Sequence, residues 1–235
     1  MNVAAAPTRK MSSNASFPPE SIRRHSFLRV APECVGTLTI QQVPALPCDT
    51  DTILRDWLGA GRPLVIRRPC LSEEGTVIYA GIATPPAMGK LRLPLEVPSS
   101  AVAAISPPPG IEECDSLLQQ TLAWERGIAG LREAGLRLRV FGSHAWQHLT
   151  GLAFISPASD IDLLLNVDSG DQLRAALHLL QAFDFGQMPR VDLEIVLRGD
   201  ASFMWREFCN NASSILIKGN HTVWMETKDK VLAYD

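Results

Sequence analysis

Asp160 and Asp162 stand two residues apart at the head of an apolar run, Leu163-Leu164-Leu165. In a β-strand both carboxylates leave the same face, where they repel each other and lose solvation. A cation between them relieves that repulsion, and hard oxygen donors with open positions suit Mg²⁺. Upstream, residues 136–141 read as a strand that runs into Gly142-Ser143, with a helix-like segment beyond. Such a turn opening onto a helix N-terminus presents backbone N–H groups to an anion. His144 follows Ser143 and is placed to touch a phosphate. Downstream, residues 190–198 alternate apolar and polar, with Asp192 and Glu194 on one face, the pattern of a half-buried strand. Either acid offers a third carboxylate. Three carboxylates can hold two metal ions, one to activate a hydroxyl and one to steady a leaving pyrophosphate. Beside a phosphate cradle they make the apparatus of phosphoryl or nucleotidyl transfer.

Further cations read two ways. Arg67, Arg68 and Lys218 lie at strand ends, where they either grip phosphate or are simply solvated. The triplet Arg23-Arg24-His25 either meets an acidic partner or phosphates, or is a solvated edge. His144 and His148 are four apart but lack the intervening glutamate of a zinc-binding helix.

The elements that must position these residues fall into two groups. A helix is expected over 50–60, capped by Thr50 or Asp51, with Ile53, Leu54, Trp57 and Leu58 as its apolar face. Strands are expected over 63–69, closed by Pro69, and over 77–82. Residues 85–98 are proline-punctuated. Pro107-Pro108-Pro109-Gly110 is the clearest linker. Beyond it, helices are expected over 115–134, 170–182 and 201–210, and strands at 215–218 and 223–225. Trp146 and Leu149 pack the helix after Gly142 onto the core. The reading is α+β: a disordered extension 1–21, a small β-rich recognition domain 22–106, a linker 107–114, and a catalytic domain 115–235 with a mixed sheet and flanking helices.

Composition narrows the field. With 46% apolar and 20% charged residues over 235 positions, the chain reads as a soluble globular protein. A net charge of −3 gives no global support for nucleic-acid binding. No apolar run approaches a membrane span. The five cysteines are odd in number and scattered, which argues against a disulfide framework and fits the cytoplasm.

The order Phe141-Gly142-Ser143, Asp160-Ile161-Asp162 and Val191-Asp192-Leu193-Glu194 resembles the nucleotidyltransferase superfamily typified by DNA polymerase β. Gly142, Ser143, Trp146, Leu149, Thr150, Gly151, Ser159, Asp160 and Asp162, with the leucines that follow, are similar to the signature of phosphoribosyl-dephospho-CoA transferases. These are also called malonate decarboxylase holo-acyl-carrier-protein synthases. Arg24-His25, Gly61-Arg62-Pro63 and Val65-Ile66-Arg67-Arg68 extend the resemblance, which covers about residues 22 to 226. It implies a polymerase-β-like catalytic domain, Mg²⁺ as cofactor, and attachment of a prosthetic group. A serine of the apo acyl-carrier subunit of malonate decarboxylase would attack triphosphoribosyl-dephospho-CoA, and pyrophosphate would leave. Two other readings compete: an NTP-using nucleotidyltransferase acting on a small molecule or another protein, and a binding module that keeps the fold as a scaffold.

Overall fold

The structure is a computed structural model that describes residues 22–41, 49–118, 122–181 and 190–234. The expected extension 1–21, positions 119–121 of the helix expected over 115–134, and position 182 lie outside the described residues.

The first half builds a six-stranded sheet from β1 (Phe27–Val30), β2 (Thr39–Ile40), β3 (Leu64–Leu71), β4 (Val77–Ala83), β5 (Arg92–Pro98) and β6 (Val102–Ser106). Its order is β2-β5-β4-β3-β1-β6, and all its pairs are antiparallel. Helix α1 (Thr50–Gly59) lies between β2 and β3 in sequence. Its cap is Asp49, one residue before the expected ones, whose carboxylate accepts from the Thr52 N–H at 3.3 Å. Strand β3 does not close at Pro69. It runs on to Leu71, and its register with β4 shifts between Ile66 and Leu71, because proline has no N–H to give the ladder.

The second half supplies α2 (Leu122–Glu133), β7 (Leu138–Val140), α3 (Gly142–Thr150), β8 (Ile161–Asn166), α4 (Gly170–Gln181), β9 (Val191–Val196), β10 (Ser202–Met204), α5 (Trp205–Cys209), β11 (Ser214–Lys218), β12 (Val223–Thr227) and α6 (Lys228–Leu232). Its sheet has the order β12-β11-β10-β9-β8-β7. Only β8 and β9 pair in parallel, as the α4 crossover between them requires. Two expected elements differ. Residues Ile111–Leu117 form a 3₁₀ helix rather than the start of α2, held by the Glu113 carboxylate, which accepts from the Gly110 N–H at 2.5 Å. Residues 202–204 form a strand rather than a helix start, because Ser202, Phe203 and Met204 pair with Val196, Ile195 and Glu194.

One hydrophobic core runs through both halves. Trp146 of α3 meets Phe27 of β1 edge-on at 5.2 Å and Trp57 of α1 at 5.5 Å, and stacks on Phe154 at 5.9 Å. The Trp57 indole N–H donates to the Pro63 carbonyl at 2.9 Å, so its one polar atom is satisfied inside the core.

Candidate active site

The alternation of β8 and β9 decides what each face carries. Ile161, Leu163, Leu165, Val191, Leu193 and Ile195 are all buried. The other face presents Asp162, Leu164 and Asn166 from β8, and Asp192, Glu194 and Val196 from β9. Parallel pairing sets Asp162 level with Asp192, and Leu164 level with Glu194. Two carboxylates therefore stand side by side on adjacent strands, about 4.8 Å apart at the backbone. Asp160 is exposed in the loop that enters β8. Burial, then the Asp192 carboxylate, then Asp160 push the Asp162 carboxyl up to about 7, with Arg92 opposing them. The Arg190 Nε–H donates to Asp192 at 2.9 Å.

Helix α3 abuts this pair. The Phe141 N–H donates to the Asp162 carbonyl at 3.0 Å, which fixes the start of the helix against β8. Gly142 has φ +63°, and a Cβ there would lie 1.9 Å from Asp162 Oδ2. Glycine is thus required twice, by its left-handed backbone and by the carboxylate beside it. No side chain caps α3 at Phe141, so the first-turn N–H groups at Gly142, Ser143 and His144 remain donors for an anion. The His144 imidazole is buried, and its Nδ1 has no partner among the described residues. Burial shifts it toward the neutral form. The side chain is therefore turned away from the position at which a phosphate contact was expected of it, and its backbone N–H is the group it offers at the helix start. Beyond the helix, Gln147 Oε1 accepts from the N–H groups of Phe154 and Ile155 at 3.0 and 2.9 Å, pinning the loop that leads to Asp160.

Glu194, one of the two candidates for the third carboxylate, is committed elsewhere. It is buried, accepts from Arg24 Nη1 at 2.6 Å and from the Ser202 hydroxyl at 2.5 Å, and stands 3.5 Å from His25 Nε2. Burial alone would raise its pKa; the adjoining His25, the Arg24 charge and the Ser202 hydroxyl outweigh it and bring the carboxyl down to about 2. His25 itself, at φ +70°, is pushed toward neutral by burial against the pull of Glu194. Within the triplet, Arg24 and His25 therefore face Glu194 and Arg23 faces Asp200, both acids of the same chain.

A cleft of roughly 320 Å³ lies over the same sheet face, inward of the acids. Leu164, Asn166, Glu194 and Val196 line it from the second sheet, and Arg24, Arg68 and Pro108 from the first half. Arg139 of β7 lines it too. The signal for Arg139 is a charge set between two buried apolar neighbours, Leu138 and Val140. Arg68 donates to the Gly219 carbonyl at 3.1 Å and Arg139 to the Pro108 carbonyl at 2.8 Å. Arg67 points to other neighbours. It bonds Gln41 and the Ala80 carbonyl and lies over the Tyr79 ring, outside the cleft lining. Lys218 ends β11 at the level of Ser202, which is itself level with Val196. That is four residues along β9 from Asp192, about 13 Å. Sequence spacing predicted neither separation.

The carboxylates offer hard oxygen donors, and the raised Asp162 marks negative charge that the protein itself leaves unbalanced, a fit for a divalent cation. As the side chains stand, no three metal-binding groups of the described residues converge into a complete ligand set.

An acid pair levelled by parallel strands, beside a glycine-opened helix N-terminus, is the arrangement expected of a transferase of the nucleotidyl type. The C-terminal domain of the phosphoribosyl-dephospho-CoA transferase MdcG matches residues 112–229, and its N-terminal domain matches residues 23–108. The chain belongs to the phosphoribosyl-dephospho-CoA transferase family. A phosphoribosyl-dephospho-CoA transferase of Xanthomonas euvesicatoria pv. vesicatoria is 35% identical over 175 residues, 71% of this chain and 79% of the relative. Proteins of the same name from Bradyrhizobium diazoefficiens and Pseudomonas fluorescens are 31% and 28% identical, over 72% and 74% of this chain and 75% and 82% of theirs. No solved structure matches the chain. Among the described residues, no helix is long and apolar enough to cross a membrane.

Proposed function

We propose that this chain transfers the phosphoribosyl-dephospho-CoA group from 2′-(5″-triphosphoribosyl)-3′-dephospho-CoA to a serine of the apo acyl-carrier subunit of malonate decarboxylase. The observation that carries the reading is the level pairing of Asp162 with Asp192 beside the α3 N-terminus, in a chain of this family. The serine oxygen forms a bond to the α-phosphorus, the bond to the β-phosphate oxygen breaks, and pyrophosphate leaves. The first-turn N–H groups of α3 and the Ser143 hydroxyl hold the triphosphate tail. Asp192 accepts the proton of the attacking hydroxyl. Glu194, ion-paired and hydrogen-bonded on all sides, is a poor base.

Asp160, Asp162 and Asp192 would hold Mg²⁺, which supplies charge stabilisation for the phosphoryl oxygens and the leaving pyrophosphate. Arg190 must then release Asp192.

The test is incubation with apo carrier subunit, triphosphoribosyl-dephospho-CoA and Mg²⁺, followed by intact mass spectrometry of the carrier. The expected result is a gain equal to the phosphoribosyl-dephospho-CoA group, lost in EDTA and in Asp160→Ala. An unchanged carrier, together with pyrophosphate release from ATP, CTP, GTP or UTP, would establish the NTP-using reading instead.

A further inference from the structure

The cleft inward of the acids carries more positive charge than its own acids balance. Arg24 is paired with Glu194 at 2.6 Å, and Arg23 with Asp200 at 3.5 Å. Arg68 and Arg139 line the same cleft, and neither forms an ion pair among the described residues. Their hydrogen bonds go to the Gly219 and Pro108 carbonyls, which orient a guanidinium without neutralising it. One comes from β3 and the other from β7, so two halves of the molecule converge two uncompensated cations on one cavity. Its volume is that of a small-molecule site, and paired guanidinium forks match phosphate oxygens.

We propose that Arg68 and Arg139 bind the internal diphosphate of the dephospho-CoA moiety, apart from the triphosphate tail that the α3 N-terminus and the acids receive. The assignment rests on the substrate proposed above, which carries two anionic clusters separated by two linked riboses. The sheet face offers two matching stations. The acid pair stands at the entry of β8 and β9, and the arginine cleft begins at Leu164 and Glu194, one same-face position farther along each strand. The arginines are thus specificity-determining residues for the CoA arm, and the floor beneath them is apolar where Leu164 and Val196 lie.

Calorimetric titration of the full chain with dephospho-CoA in EDTA isolates this station, since that probe lacks the triphosphoribosyl tail. Dephospho-CoA is expected to bind, with Arg68→Gln and Arg139→Gln each weakening it by about tenfold. Arg68→Lys and Arg139→Lys recover part of the loss. Thermal melts confirm that each variant is folded, and the lysine variants carry the test if a glutamine variant is not. Affinity that ignores both arginines, or no binding by the wild-type chain, overturns the proposal. Wild-type transfer with arginine-independent dephospho-CoA binding sinks the cleft alone. Arginine-dependent binding without transfer sinks the proposed reaction and leaves the cleft standing.

Discussion

At the scale of single residues, Asp162 separates activity from stability. Its carboxyl is raised to about 7 by burial, Asp192 and Asp160, so in the metal-free protein its charge opposes folding. A raised acid binds its proton more tightly in the folded state, and stability therefore falls as pH climbs from the ordinary carboxylate range through 7. Asp162→Asn is expected to abolish transfer and, in EDTA at about pH 8, to melt higher than wild type, the gap closing near pH 4. Mg²⁺ should raise the melting temperature of the wild type and not of the variant. Equal melting temperatures at pH 8 would show that the crowding is relaxed in solution. Gly142→Ala is the steric counterpart. A methyl 1.9 Å from Asp162 Oδ2, on a backbone at φ +63°, displaces the acid or the helix start. The left-handed backbone alone costs about 1–2 kcal/mol, and activity should fall by far more than that strain would predict. Wild-type turnover in Gly142→Ala would remove the close packing of α3 on Asp162 from the account.

At the scale of elements, strand β9 carries two acids on one face with opposite fates. Asp192 meets Asp162 at the open entry of the sheet, while Glu194 is buried under Arg24, His25 and Ser202. Glu194→Ala leaves Arg24 without its partner and should cost about 3–5 kcal/mol in urea unfolding. The sign with pH follows from the depressed pKa: the stabilisation is present above the ordinary glutamate range and is lost as pH falls from about 4.5 through 2. The variant should accordingly lose less stability than wild type over that acid range. Most of this sheet could be read from the chain. The alternation at 190–198, the Asp160-Ile161-Asp162 spacing and the Gly-Ser step each have a local cause in strand or helix geometry. What sets the surroundings of Asp192 and Glu194 apart is long-range: the parallel register with β8, and an arginine 170 residues away. The strand at 202–204 hid for a related reason, since Ser202-Phe203-Met204 forms no helix only because β9 offers it an edge.

At the scale of the whole molecule, the two sheets share one core and one ion-paired seam. Trp146 belongs to the α3 cradle by sequence but packs on Phe27 and Trp57 of the first half. The segment 112–229 expressed alone should therefore expose this aromatic face, bind a hydrophobic dye and melt without cooperativity. A sharp cooperative melt of that segment would show that the second sheet folds independently. Composition foresaw two groups of elements on either side of the proline run, but nothing local in the sequence announces that Arg24, Arg68 and Glu194 meet across them. Contacts of that kind depend on tertiary placement alone.

The α4 crossover has a consequence for how chain length can vary. Helix α4 lies between the end of β8 and the start of β9 in the chain, and the hydrogen-bond ladder between those strands decides which residues stand level. Insertions in the crossover should leave the acid pair intact, whatever they do to its spacing in sequence. Deleting Val191 would do the reverse. If the rest of β9 kept its pairing, the side-chain order would invert at that point, and Asp192 could keep its place only by pulling the strand's entry out of register.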